Sequence, residues 1–200
     1  CNDLSIDNIL AINNTIGVNV DTSANILFNS LTTIGGVTGL QITNSPIFTI
    51  SNSFFVSHSS HGIIINGTNN SSVITSSVEN CGGDGINISN AFNYSFFAMS
   101  ILNCTSNGIN FVTGNDNFTV LNMGVESNGG DGFKYASTTT NISTIGVVFK
   151  NNTGYGINIA NSSNATNVIA TNIFTTNTAG AILNNGTSTV IKSNSGAADN

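Results

Sequence analysis

Arginine is absent from this 200-residue chain, and lysine occurs only at Lys134, Lys150 and Lys192. The net charge of -6 against nine carboxylates therefore reflects missing bases rather than acidic runs. A surface so poor in cations argues against nucleic acid and anionic membrane as partners. Charged residues make up 6% of the chain, where a soluble domain carries about 25%. Its polar surface has to come from Asn, Ser, Thr and Gly instead. No apolar run reaches the roughly 18 residues of a membrane helix, and no basic flank precedes an apolar stretch as in a signal peptide. Proline occurs once, at Pro46, so almost every backbone N–H is free to enter a strand ladder. The three cysteines, Cys1, Cys81 and Cys104, are an odd number without metal-ligand spacing, which excludes a disulfide framework and a zinc site of the usual kind. No cofactor and no metal are expected.

What is present is a repeat. An apolar share of 39% is enough for a core and excludes a disordered chain. Glycines recur at Gly17, Gly39, Gly62, Gly85, Gly108, Gly132, Gly156 and Gly180, with gaps of 22, 23, 23, 23, 24, 24 and 24. One residue after each stands an apolar side chain, from Val18 and Leu40 through Ile86, Ile109, Phe133 and Ile157 to Ala181. Three after stands another, from Val20 and Ile42 through Ile88, Phe111, Tyr135 and Ile159 to Leu183. The residue between is mostly polar (Asn19, Gln41, Asn87, Asn110, Lys134, Asn158). In-out-in alternation of this kind is the period of a strand.

Two further short strands fill each coil. Seven residues before the glycine come Phe55, Val78, Ile101, Val125, Phe149 and Ile173; eleven before come Ser51, Ile74, Phe97, Leu121, Ile145 and Ile169. Shared parity predicts that both columns point inward. Twelve and fourteen before, the columns containing Ile50, Val73 and Phe96, and Phe48, Tyr94 and Phe118, are also apolar, so inward parity flips between positions eleven and twelve. A flip requires a bend, and three parallel sheets around one core follow. Asn70, Asn93, Asn117 and Asn141 repeat in register, as do Asn80, Asn103 and Asn151. Asparagine tolerates left-handed backbone angles, and stacked amides can bond along the axis. The reading is an all-β, single-stranded parallel β-helix of about eight coils of 22–24 residues, roughly 40 Å long at the strand spacing. Right-handed crossovers are the default for parallel strands.

The runs VENCGGDGINISN, LNCTSNGINF and FKNNTGYGINIANS resemble repeats of the right-handed parallel β-helix superfamily, which includes pectate lyases, bacteriophage tailspikes and related surface proteins. The resemblance covers residues 1–200 as one domain. It implies architecture rather than chemistry, because one fold hosts enzymes, adhesins and inert stalks. The repeat runs to both ends without an obvious cap, and the next glycine falls near position 204. A piece of a longer chain, or capping by assembly, is therefore expected.

Enzymes of that superfamily act on polysaccharides with carboxylates and often basic residues on an outer sheet face. Without Arg or an adjacent acidic cluster, a calcium-dependent lyase is disfavoured. Glycoside hydrolysis needs two carboxyls about 5 to 9.5 Å apart. Glu79 and Glu126 share a column two coils apart, as do Asp84 and Asp131, and two coils span roughly 9.6 Å. The aspartates lie in Gly-rich turns, CGGDG and NGGDG, where Asp commonly binds local N–H groups. Lys150 follows Glu126 by one coil, which predicts a surface ion pair. His58 and His61, in SHSSH, are expected in a solvated turn. Cys81 and Cys104 sit one coil apart, as stacked thiols or a disulfide. Cys1 is read as a fragment boundary rather than a lipidated terminus.

An outward column Thr49, Ser72, Ser95, Thr119, Ser143 and Asn167 makes a hydroxyl ladder, but its neighbour (Asn52, Thr75, Ala98, Asn122, Gly146, Ala170) lacks the paired threonines of an ice-binding face. The column Val56, Glu79, Leu102, Glu126, Lys150 and Phe174 mixes exposed apolar groups with charges and marks self-association or a fibre partner; the resemblance to tailspikes implies a homotrimer. Thirteen Asn-x-Ser/Thr sequons permit glycosylation without requiring it. The functional expectation is a structural or binding rod of an extracellular, cell-surface or virion-surface fibre, spike or adhesin that contacts glycans. The alternative is a polysaccharide-degrading enzyme using the carboxylate pairs.

Overall fold

The structure, a computed structural model, describes residues 2–196. Cys1, and with it the question of a lipidated terminus, lies outside the described residues. One coil shows the build: strands Phe48–Ser51, Phe54–Val56 and Ile63–Asn66 follow one another around the axis. Each pairs in parallel with its equivalents one coil below and above. No strand this short stands alone, so the pairing between coils is what holds the backbone. Among the described residues the stack makes a nine-stranded long sheet, an eight-stranded middle sheet of three-residue strands, and an eight-stranded glycine sheet, with no helix.

The core is the set of columns that alternation aims inward. Leu40, Ile63, Ile86, Ile109, Phe133 and Ile157 lie over one another, as do Ile42, Ile65, Ile88, Phe111, Tyr135 and Ile159, and all are buried. Each large side chain so removed from water contributes about 1.5–3 kcal/mol. Aromatic rings stack between coils, Tyr94 on Phe118 at 5.0 Å and Phe149 on Phe174 at 5.1 Å. Tyr135 is fully buried because its hydroxyl pairs with Thr144 Oγ1 at 2.8 Å. The glycine column has a steric cause: a Cβ on Gly85 would lie 2.6 Å from Ile101 Cγ2 and 2.7 Å from the Gly108 carbonyl oxygen.

Three sequence expectations need correction. Ser51, Ile74, Phe97, Leu121 and Ile145 do not point inward; they are half-buried or exposed on the outside of the long sheet, Phe97 to 40%. The next residue explains it. Asn52, Thr75, Ala98 and Asn122 take left-handed φ of 45–52°, a conformation that turns the chain. The residues that follow, Ser53, Ser76, Met99 and Met123, then carry the inward role and are buried. The bend therefore lies after position eleven, not before it, and the second column read as an ice-face neighbour is this bend.

The last coil is also shifted by one residue. Ile157 pairs with Ile182, and Phe149 with Phe174, so the repeat there is 25 residues and Ala181 takes the glycine's place. Thr139 binds Asn164 while Tyr135 still aligns with Ile159, which puts the extra residue in the turn between Ile159 and Asn164. Gly180 was a false marker. Phe174 is buried and Ile173 is 47% exposed; Asn167 points inward, its Oδ1 accepting the Ile142 N–H at 2.9 Å. Val168 completes the hydroxyl column, and Thr175 completes the Glu79–Lys150 column.

Finally, His58 is not solvated. It is 1% exposed and its Nε2 lies 3.0 Å from Thr33 Oγ1. The left-handed Ser57 before it (φ 61°) turns its side chain into the core.

Amides do much of the joining. Asn93 Nδ2 donates to Asn70 Oδ1 at 2.9 Å and Asn117 Nδ2 to Asn93 Oδ1 at 2.7 Å, along a corner where all three have φ of 52–59°. A second chain runs inside: Asn152 Oδ1 accepts the N–H and Nδ2 of Asn128 at 3.1 and 3.0 Å, and Asn177 Oδ1 does the same for Asn152. Buried N–H groups at this turn thus find acceptors one coil away.

Candidate functional site

The chemistry-bearing residues gather on the outside of the glycine sheet and in the turn that feeds it. The residue before each glycine forms the column His61, Asp84, Asn107, Asp131 and Tyr155. The outward residue of each strand forms its neighbour: Ile64, Asn87, Asn110, Lys134 and Asn158. The D-G-I-N run places Asn87 beside Asp84 on the same face, and the coil repeat brings Asn110 to the same oxygen.

Asp84 is 4% exposed and saturated. Its Oδ1 accepts the Asn107 N–H at 3.0 Å and Nδ2 at 2.8 Å; its Oδ2 accepts Asn87 Nδ2 at 2.8 Å and Asn110 Nδ2 at 3.0 Å. Burial by itself pushes such a carboxyl up, but donation from Asn87, Asn110 and Asn107 outweighs it and holds Asp84 below the usual carboxylate range. Asp131 repeats the pattern two coils on, with the Tyr155 N–H at 2.8 Å and Asn158 Nδ2 at 2.8 Å. These partners lie mostly in the next coil, so the aspartates join coils rather than closing their own turns. His61 Nδ1 accepts the Asp84 N–H at 3.0 Å and lies 3.9 Å from Asp84 Oδ2. An acidic group does therefore stand beside His61, supplied by the neighbouring coil. The acceptor Nδ1 leaves the ring's proton on Nε2.

Glu79 and Glu126 lie elsewhere, half-buried on the outer face of the middle sheet with Leu102 between them. Ser77 Oγ donates to Glu79 Oε1 at 2.6 Å. Lys150 Nζ lies 3.8 Å from Glu126 Oε2, both side chains more than a third exposed, so the pair is worth a few tenths of a kcal/mol at most. The two carboxylate pairs therefore occupy different faces and do not form one site.

Cys81 and Cys104 are free, buried thiols in the column that begins with His58 and continues into Asn128. The hydrogen bond that Cys81 donates to Cys104, together with burial, pushes the Cys81 thiol far up, away from thiolate chemistry. Burial lowers the His58 pKa, partly offset by the nearby Gly35 and Thr33 backbone groups. Among the described residues no three His, Cys, Asp or Glu side chains are grouped to hold a metal, and no helix is long and apolar enough to cross a membrane. A cavity of about 170 Å³ lies near the last coils, lined by Phe174, Thr176, Asn177, Gly180, Ala181 and Gly196. It is smaller than a typical small-molecule site.

Sequence reasoning singled out the aspartates but missed the amides that hold them, Asn87, Asn107, Asn110 and Asn158. For Asn87, Asn110 and Asn158 the signal was the repeated Asn two residues after the glycine, which alternation alone marks only as outward; Asn107, just before Gly108, carried none.

Comparison with known proteins agrees with this architecture. A periplasmic alginate epimerase, AlgG, superposes with a TM-score of 0.83 at 14% identity, over 95% of this chain and 50% of its own. A tailspike from Escherichia coli O157:H7 bacteriophage CAB120 gives 0.56 at 19% identity, over 96% of this chain and 25% of its own. The surface adhesin PfbA of Streptococcus pneumoniae gives 0.54 at 12% identity, over 88% and 61%. The chain thus spans about half the length of the epimerase, and at these identities the likeness is one of fold. No curated protein matches it. The family model described as the right handed beta helix region matches residues 1–149, and the chain belongs to that family.

Proposed function

We propose that this chain is a glycan-contacting rod of an extracellular, cell-surface or virion-surface fibre, spike or adhesin, and that it does not cleave polysaccharide. The observation that carries this is the state of Asp84. A glycosidase needs one carboxyl held protonated as the acid. Asp84, with four donors on two oxygens, is held ionised instead. The same bonds hold Asn87 and Asn110, and Asp131 holds Asn158, in one column on a sheet whose coils are roughly 4.8 Å apart. Held amides, with Lys134 between Asn110 and Asn158 and His61 in the neighbouring column, offer N–H donors to sugar hydroxyls at little ordering cost. Single contacts of this sort are weak, and useful affinity comes from repetition along the rod and among copies. The tailspike and adhesin likenesses favour a surface role; the epimerase likeness favours a polysaccharide as the thing contacted.

The alternative enzyme would use Glu79 and Glu126, or Asp84 and Asp131. Both readings are separated by displaying the chain multivalently on a glycan array and assaying the same preparation for new reducing ends or unsaturated products. Array hits that disappear in Asn110→Ala/Asn158→Ala, with no product from any hit, are expected. Turnover abolished by Glu126→Gln or Asp131→Asn would overturn the proposal.

A further inference from the structure

The correction to the long sheet leaves an apolar ridge without a partner. Ile74, Phe97, Leu121 and Ile145 are register neighbours on its outer face. The core does not need them, because the residues after the bend fill the interior. Extended in both directions, their column reads Asp7, Asn29, Ser51, Ile74, Phe97, Leu121, Ile145, Ala170 and Lys192, with Asp7 one coil beyond the symmetric stretch. Read outward from its midpoint, it is the same in both directions: a large apolar pair, isoleucines, small residues, then polar ends. The adjacent outward column behaves alike. Ser95 and Thr119 stand at its centre, Ser72 and Ser143 beyond them, and Leu27 and Val190, 40% and 47% exposed, near its ends; Thr49 and Val168 in between are the one unlike pair.

An order that reverses about its midpoint suits an antiparallel two-fold contact, in which each coil of one copy faces the equivalent coil across the axis. We infer that the outer face of the long sheet binds a second copy of this chain, antiparallel, with the two-fold axis between the strands of Phe97 and Leu121. Phe97 then meets Leu121 of the second copy, Ile74 meets Ile145, Leu27 meets Val190, and the hydroxyls of Ser72, Ser95, Thr119 and Ser143 meet one another, while Thr49 meets Val168. A parallel two-fold would set each side chain against its own copy and would keep Glu79 three coils from Lys150 of the second copy. Charge agrees with the assignment. Between Ser51 and Ala170 the ridge carries no charged residue, so nothing ionic is desolvated there. At the rim the same axis brings Glu79, which has no cationic partner among the described residues, toward Lys150 of the second copy. The matching face is roughly 34 Å by 15 Å, or about 1,000 Å² buried in total, the low end for a specific interface. An interface of this size suits a weak dimer, for which a dissociation constant of order 10–100 µM is the range to test.

The assembly is independent of the glycan reading, since its readout is mass alone. Sedimentation velocity of the full chain across that concentration range is expected to show a monomer–dimer equilibrium. Phe97→Asp, on an outward side chain, is expected to leave far-UV circular dichroism unchanged and to shift the equilibrium at least tenfold toward monomer. In a Cys1→Ser background, Ser72→Cys mixed with Ser143→Cys is expected to form crosslinked heterodimers, while Ser72→Cys alone does not. A monomer throughout, a trimer, a dimer indifferent to Phe97→Asp, or self-crosslinking of Ser72→Cys would each overturn the inference.

Discussion

Asp84 is the side chain whose loss the structure makes most informative. Replacing it with Ala removes four hydrogen bonds to one ionised group and leaves the Asn107 N–H, in a residue only 7% exposed, without an acceptor. Bonds to a charged acceptor are worth about 1.5–3 kcal/mol each, but the side-chain amides of Asn87 and Asn110 regain water. The net loss expected is about 3–4 kcal/mol. Asp84→Asn keeps one acceptor and costs about 1–2 kcal/mol. Urea unfolding at neutral pH gives these values, and amide exchange at Asn107 locates them. The pH dependence follows from sign. Because the folded pKa lies below the unfolded value of about 3.9, the contribution is fully present above that value. It fades as pH falls through the folded pKa. Asp84→Asn should therefore lose less stability than the parent between about pH 4 and 2. A variant as stable as the parent, with an unchanged acid limb, would refute the account of this carboxylate as a joint between coils.

Gly108→Val should destabilise more than any surface change, by about 3 kcal/mol or more, because its Cβ would stand 2.6 Å from both the Gly132 carbonyl oxygen and Val125 Cγ1; thermal melts of the variant and of the exposed control Asn14→Ala test it. His58, buried and lowered in pKa, should make the rod less stable as pH falls from about 6.5 through the lowered folded value, since the unfolded chain takes up the proton first. In His58→Gln that slope between pH 7 and 5 should vanish, which denaturant midpoints across the interval would show.

Much of the architecture was legible because a solenoid writes its three-dimensional neighbours into sequence spacing. Gly62, Gly85 and Gly108 stack, so their spacing is the coil length, and the apolar residues at fixed offsets declare their face. The failures have equally local causes. Parity counts positions and is blind to a left-handed residue, so Thr75 and Ala98 hid the outward turn of Ile74 and Phe97. One residue added after Ile159 went unseen because Gly180 happened to fall where the old phase required. His58 was judged by composition of its turn, although Ser57 aims it inward.

The candidate site was legible only as a set of names. Sequence by itself determined the repeat, its length, the three-sheet section and the columns of like residues, because burial of periodic apolar side chains admits few other solutions. Tertiary structure decided which carboxylates are free to act. A carboxylate's protonation and reach depend on donors within about 3 Å, and for Asp84 most of those donors come from the next coil, at a distance in sequence that no local motif encodes.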